Sequence, residues 1–305
     1  PDATYKTGVQ LIGEDSETTI IDGGGLGRVI TIIEVDATSL ISGFTLTHGG
    51  NTEWGGGLFI YLSDLTVEDL RIIDNTSINY AGGVGINACS PHFKNVLISG
   101  NITDVTGGGV VIYGFNAPTH PIFENVTITG NQASESYGEG GIAFWYGAEL
   151  TLVNSILRGN TPWEIKLTGW GANTLNVSYS NIGGGINEGF GVSSGDDDTV
   201  NWGDGNIDVD PLFVSDNDYN LQDGSRCIDA GTTDTNADGA SDITEFNGLG
   251  PDLGAYESPY TATQGCADIS ALNYNPDSWV DDGSCEYAPE YNGTSWYVST
   301  SGNDL

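Results

Sequence analysis

The segment Asp234 to Glu245, DTNADGASDITE, spaces oxygen-bearing side chains at intervals that would wrap a cation. Asp234, Asn236, Asp238, Asp242 and Glu245 fall at positions 1, 3, 5, 9 and 12 of a twelve-residue loop. Gly239 stands at position 6, where the chain must turn sharply, and Ala240 at position 7 would offer its backbone carbonyl. Ca²⁺ takes six to eight oxygens at about 2.3 to 2.6 Å. The spacing therefore predicts one calcium ion held by Asp234, Asn236, Asp238, Ala240, Asp242 and Glu245. Phe246, Gly248, Gly250 and Pro251 follow at once, so a flanking helix is not expected and the site reads as structural rather than sensing. Further along, Asp268, Asn275, Asp277, Asp281 and Asp282 are irregularly spaced and read either as a second calcium site or as a solvated acidic turn. Asp196 to Asp198 with Asp204, Asp208 and Asp210 read as an exposed acidic loop.

These loops need a frame, and the frame is repetitive. FTLTHGGN (44–51), LRIIDN (70–75), VLISGN (96–101), VTITGN (126–131) and SILRGN (155–160) repeat one pattern, alternating apolar residues that end in a turn and an asparagine. Between them stand glycine clusters at 55–57, 82–83, 107–109 and 140–141, each opening a second short strand. Repeats of this length with β-branched strands and glycine turns denote a solenoid whose coils share one core. Alternation at period two points Ile98, Val126 and Ile128 inward and Thr127 and Thr129 outward to solvent. The asparagines should stack coil upon coil, each amide donating and accepting along the axis. The fold class is all-β.

Composition narrows the partners. Seven lysines and arginines stand against 42 acidic residues, a formal charge of −35 that repels a nucleic-acid backbone and an anionic membrane surface. No run approaches the roughly 18 apolar residues of a membrane span, so no membrane insertion is expected. Position 1 is Pro, and neither a methionine nor a leader-like segment is present, as expected of a mature form or a fragment. Cys266 and Cys285 bound a short polar loop and are expected to pair, which places the chain in an oxidising, extracellular or cell-surface compartment. For Cys89 and Cys227 a bridge and two buried thiols both stay open.

The run GVQLIGEDSETTIIDGGG with SLISGFTLTHGG and the NVTITGN units resembles the right-handed parallel β-helix proteins of the pectin-lyase-like superfamily, over about Gly8 to Glu257. DVDPLFVSDNDYNLQDGSRCIDAG with PDLGAYE resembles the segment that closes many secreted members. The loop 234–245 resembles the calcium loops of EF-hands, dockerins and thrombospondin type 3 repeats, and Gly265 to Tyr287 resembles a cysteine-bounded module of large bacterial surface proteins. The resemblance implies three regions: a β-helix with its closing segment and calcium loop (1–258), an acidic cysteine-bounded module (259–290), and a linker with a strand of a following domain or subunit contact (291–305).

What the resemblance implies about activity is divided, because this fold carries enzymes and inert stalks alike. A polysaccharide lyase would need a lysine or arginine base beside calcium, and Arg71, Lys94 and Arg158 sit on or beside repeated strands. A glycoside hydrolase would need two carboxylates across a cleft, and Asp69, Asp74, Glu124 and Glu149 lie near successive strands. His48, His92 and His120 show no metal spacing. Trp54, Tyr61, Tyr80, Tyr113, Phe115, Phe144, Trp145, Tyr146, Trp163 and Trp170 gather around the second strands, either as a platform for sugar rings or as packing of loops on the wall. The expectation is a calcium-stabilised structural or adhesive module with no assigned catalytic residue, and the alternatives are a carbohydrate-active enzyme and a glycan-binding module. Its expected partners are neighbouring copies or domains stacked head to tail, with WYVSTSGNDL (296–305) as a candidate contact strand, and glycans.

Overall fold

The computed structural model describes residues 5–115, 117–134, 138–167, 171–188, 190–192 and 197–288. The chain divides into two compact units, Pro1 to Thr261 and Ala262 to Leu305. The expected pairing of Tyr297 to Ser299, and the side chain of Trp170, lie outside the described residues.

The first unit is a parallel β-solenoid of about seven turns. One coil runs through Thr66–Glu68, Arg71–Ile73, Thr76–Ser77 and Val84–Asn87, and the next repeats it as His92–Ser99, Ile102–Thr103 and Val110–Tyr113. Register is strict: Val67, Phe93 and Phe123 align, as do Ile72, Ile98 and Ile128, and Ile60, Ile86, Ile112 and Phe144. All of these side chains are fully buried. Each contributes about 1.5 to 3 kcal/mol through burial, but only when a neighbouring coil covers it, so stability accumulates coil by coil.

Two corners make the repetition possible. Between the two halves of the long wall the chain passes through the left-handed region at Asp69, Asn95, Asn125 and Asn154, residue types that tolerate it. At the next corner Asn75, Asn101, Asn131 and Asn160 form the expected ladder: each Nδ2 of the first three donates to the Oδ1 of the asparagine one coil on, at 2.9 to 3.0 Å. Asn51 is not a member. Register places Gly49 opposite Asn75, and the Gly49 amide donates to Asn75 Oδ1. The paired glycines answer to the same ladder, since a Cβ on Gly83 would stand 2.9 Å from Asn101 Nδ2 and 2.6 Å from Gly109 O.

The register of the inward residues is as expected, but Thr127 and Thr129 are not exposed. A closing segment that includes the hairpin Phe213–Ser215 and Asp218–Leu221 returns over the outside of the wall. There Thr127 Oγ1 accepts the Ala255 amide at 2.9 Å, Asn125 Nδ2 donates to Asp252 O, and Asn154 exchanges hydrogen bonds with Thr232. Asp252, within this segment, is fully buried and caps the Asp229 and Ser258 amides.

The second unit is tied by the Cys266–Cys285 disulfide, beside a short pairing of Gln264–Gly265 with Val280–Asp281. Cys89 and Cys227 are separate buried thiols, each pushed up to about 11 by burial. No helix among the described residues is long and apolar enough to cross a membrane.

Candidate functional site

The groove between the wall and the closing segment gathers Asp69, Lys94, Glu124, Asp242 and Glu245 of the groups singled out in the sequence. Glu68, Lys94 and Glu124 stand in register on three successive coils, facing outward because Val67, Phe93 and Phe123 face in. Asp242 to Glu245, Pro251 and Gly254 to Glu257 of the closing segment form the opposite side of a cavity of about 420 Å³.

Glu124 is the most enclosed of these groups. Lys94 Nζ lies 3.3 Å from Oε1, His92 Nε2 lies 3.3 Å from Oε2, and the Thr235 hydroxyl is 3.2 Å from Oε2. Burial works to raise its pKa, but His92 and Lys94 outweigh it and hold the carboxyl below its ordinary value. Asp69 shares the groove and accepts a hydrogen bond from Asn95 Nδ2 at 3.1 Å. Glu149 lies apart, paired with His120 at 3.5 Å, and Asp22 takes His48 at 3.0 Å. Arg158 pairs with Asp208 and Lys166 with Glu139, while Arg28 donates to the Trp54 carbonyl.

In the loop 234–245 the first half curls as the spacing implies. The Asp234 carboxylate accepts the Asp238 and Gly239 amides at 3.0 and 2.8 Å, Asn236 Oδ1 also accepts the Asp238 amide, and Gly239 takes a φ of 88°. The Ala240 amide donates to Asp238 Oδ1. The second half divides: Asp242 folds back on the first, accepting from Asn236 Nδ2 and from the Thr235 amide, whereas Glu245 lines the groove. The donors are hard oxygens suited in kind to Ca²⁺. Among the described residues, however, no three His, Cys, Asp or Glu side chains are grouped so as to hold a metal ion. As expected, no helix flanks this loop.

A second surface lies over the sheet in which Leu58–Tyr61, Val84–Asn87, Val110–Tyr113 and Ile142–Trp145 pair. Trp54, Tyr80, Tyr113, Phe115, Trp145 and Tyr146 touch ring to ring, from Trp54–Tyr80 at 4.5 Å to Tyr80–Trp145 at 6.1 Å. Ala81, Val111 and Ala143 lie covered beneath Trp54, Tyr80 and Trp145. Phe144 does not belong to this surface, because it points inward into the core. Sequence reasoning missed Glu68, Tyr219, Tyr256 and Glu257. Nothing in their local pattern distinguishes them: Glu68 stands on the wall itself and joins the site through its register with Lys94, and only the return of the closing segment brings Tyr219, Tyr256 and Glu257 there.

No protein-family model, curated protein or solved structure matches the chain.

Proposed function

We propose that the chain is an extracellular structural or adhesive β-helix module of a larger surface or filament-forming protein, stabilised by calcium at the loop 234–245 and stacking head to tail with neighbouring copies or domains. The observation that supports a non-catalytic role is the charge of the groove, where Glu68, Asp69, Glu124, Asp242, Glu245 and Glu257 face the single cation Lys94. Six carboxylates repel a uronate chain, and Lys94 is already paired with Glu124. A hydrolytic general acid needs a raised pKa, whereas Glu124 is held low and Glu257, raised by burial, has both carboxylate oxygens committed to the Asn247 and Asp252 amides.

Calcium answers the same charge, because a divalent cation would neutralise the carboxylates that the closing segment brings to the wall. Melting in calcium chloride should exceed melting in EDTA, and Asp238→Ala should remove the difference. Indifference of the wild-type chain to EDTA would refute the calcium assignment. Release of reducing ends or unsaturated products from a glycan panel, abolished by Lys94→Ala or Glu124→Gln, would refute the non-catalytic reading. A glycan-binding role without turnover is the second reading, supported by the ring-to-ring surface around Trp54 and Tyr113.

A further inference from the structure

Arg71 departs from the other cations of the wall. Its side chain is 22% exposed, and its contact with Glu17, Nη1 to Oε1 at 3.7 Å, is longer than a hydrogen bond. Nε is buried and has no hydrogen-bond partner among the described residues. A guanidinium N–H taken out of water unmet is costly, and such a donor in a folded protein calls for an acceptor.

The space beside it is a cavity of about 390 Å³, lined by Arg71, Glu17, Asp218, Tyr219, Asn220 and Tyr256 among others. That volume is at the small end of ligand pockets, the size for one ring-sized molecule. Tyr219 accepts the Ser99 hydroxyl at 2.9 Å, which leaves its own proton free to donate. Asp218 already holds the Asn220 amide group at 2.7 Å and keeps a second oxygen to accept with.

The arrangement selects by charge. Glu17 and Asp218 disfavour an anion, and Arg71 disfavours a cation. A neutral molecule with adjacent hydroxyls meets both, because one hydroxyl oxygen accepts from the guanidinium while its neighbour donates to a carboxylate. Tyrosine faces suit the C–H side of such a ring. We propose that this pocket binds a single neutral sugar residue through vicinal hydroxyls bridging Arg71 and Asp218, against Tyr219 and Tyr256. The proposal is independent of whether the calcium loop is filled and of the aromatic surface on the other sheet.

Saturation-transfer NMR on the intact chain, with glucose, galactose, mannose and N-acetylglucosamine as probes and glycine and acetate as controls, tests it. At least one hexose should bind. Arg71→Met should weaken that binding at least tenfold with the melting temperature unchanged or raised, since methionine fills the space without unmet donors, and Asp218→Asn should weaken it as well. Absence of hexose binding, or binding that survives Arg71→Met, would overturn the assignment. So would binding of acetate or glycine in place of hexoses, or a lower melting temperature on Arg71→Met, which would make Arg71 a packing residue.

Discussion

The asparagine ladder ends on a charge, and that end can be tested alone. Asn160 is the last asparagine of the row, and its Nδ2 donates to Glu164 Oε2 at 2.6 Å. The same carboxylate accepts the Gly159 amide at 2.7 Å and the Asn160 amide at 3.3 Å. Glu164→Ala removes all three acceptor contacts. Water can replace the exposed contact to Gly159, but the two donors of Asn160 are partly enclosed. At about 1 to 3 kcal/mol for each unmet donor, lower where water reaches, the expected loss is about 2 to 4 kcal/mol. Glu164→Gln keeps one acceptor oxygen and removes a charge whose burial is unfavourable, so it should cost less than about 1.5 kcal/mol. Burial raises the pKa of Glu164 despite the Asn160 and Gly159 donors. The folded state therefore binds this proton more tightly than the unfolded chain, and the contribution of this group falls as pH rises from the ordinary carboxylate value through the raised one. Glu164→Gln should flatten that slope. Because a solenoid can open locally, hydrogen exchange at the amides of Asn131, Gly159 and Asn160 is the appropriate assay, with global unfolding as the companion. Equal losses for the Ala and Gln variants, or an Ala variant within about 0.5 kcal/mol of wild type, an ordinary surface change, would refute the capping role.

Thr127→Val should destabilise the closing segment by about 1 to 2 kcal/mol, seen as faster exchange at Ala255, whose amide loses its acceptor. Ile98→Asp should cost several kcal/mol and disrupt neighbouring coils, read by thermal melting. Asp252 and Glu257 have raised pKa values, chiefly through burial, so mild acidification should slow exchange in the closing segment, and Asp252→Asn should remove part of that response. Reduction of Cys266–Cys285 should destabilise the second unit by about 3 kcal/mol through freed chain entropy, detectable as proteolysis within 266–285.

The coils were legible in the sequence because the forces that make them are local and repeated. Alternation in 96–99 and 126–129 assigns Ile98 and Ile128 to the core, and asparagine at a fixed offset meets the one place where a side chain must serve the backbone of two coils. The same alternation assigned Thr127 to solvent, and there it failed. Its cover, Ala255, arrives 128 residues later, and no period announces it. Asn51 failed for a related reason: it fits the motif by eye but falls two positions beyond Gly49, which the register sets opposite Asn75. The grouping of His92, Lys94 and Glu124 could not be read either, since residues about thirty apart become neighbours only once the coil length is known to the residue.

These successes and failures divide the molecule physically. Along the wall, every coil presents nearly the same backbone to the next at the strand spacing of about 4.8 Å, so the repeat supplies rigidity and little discrimination. Discrimination enters where a single non-repeating segment crosses the wall. Thr235 reaches Glu124, Tyr219 reaches Ser99, and Asp252 reaches Asn125. The contacts fall on two successive coils, Ser99 on one and Glu124 and Asn125 on the next, and join groups that the repeat alone would leave in solvent. The segment is held by these hydrogen bonds and by its own buried Leu221, Ile228 and Leu253, outside the apolar core that the coils share. Its attachment is therefore weaker than that of the coils beneath, and more sensitive to charge. With buried Asp252 and exposed Glu257 inside it and Glu68, Asp69 and Glu124 opposite, the segment closes against its own electrostatic repulsion. Protons and cations are thus the natural variables for controlling the groove, whereas the rod beneath it answers to protons chiefly where its ladder ends on Glu164.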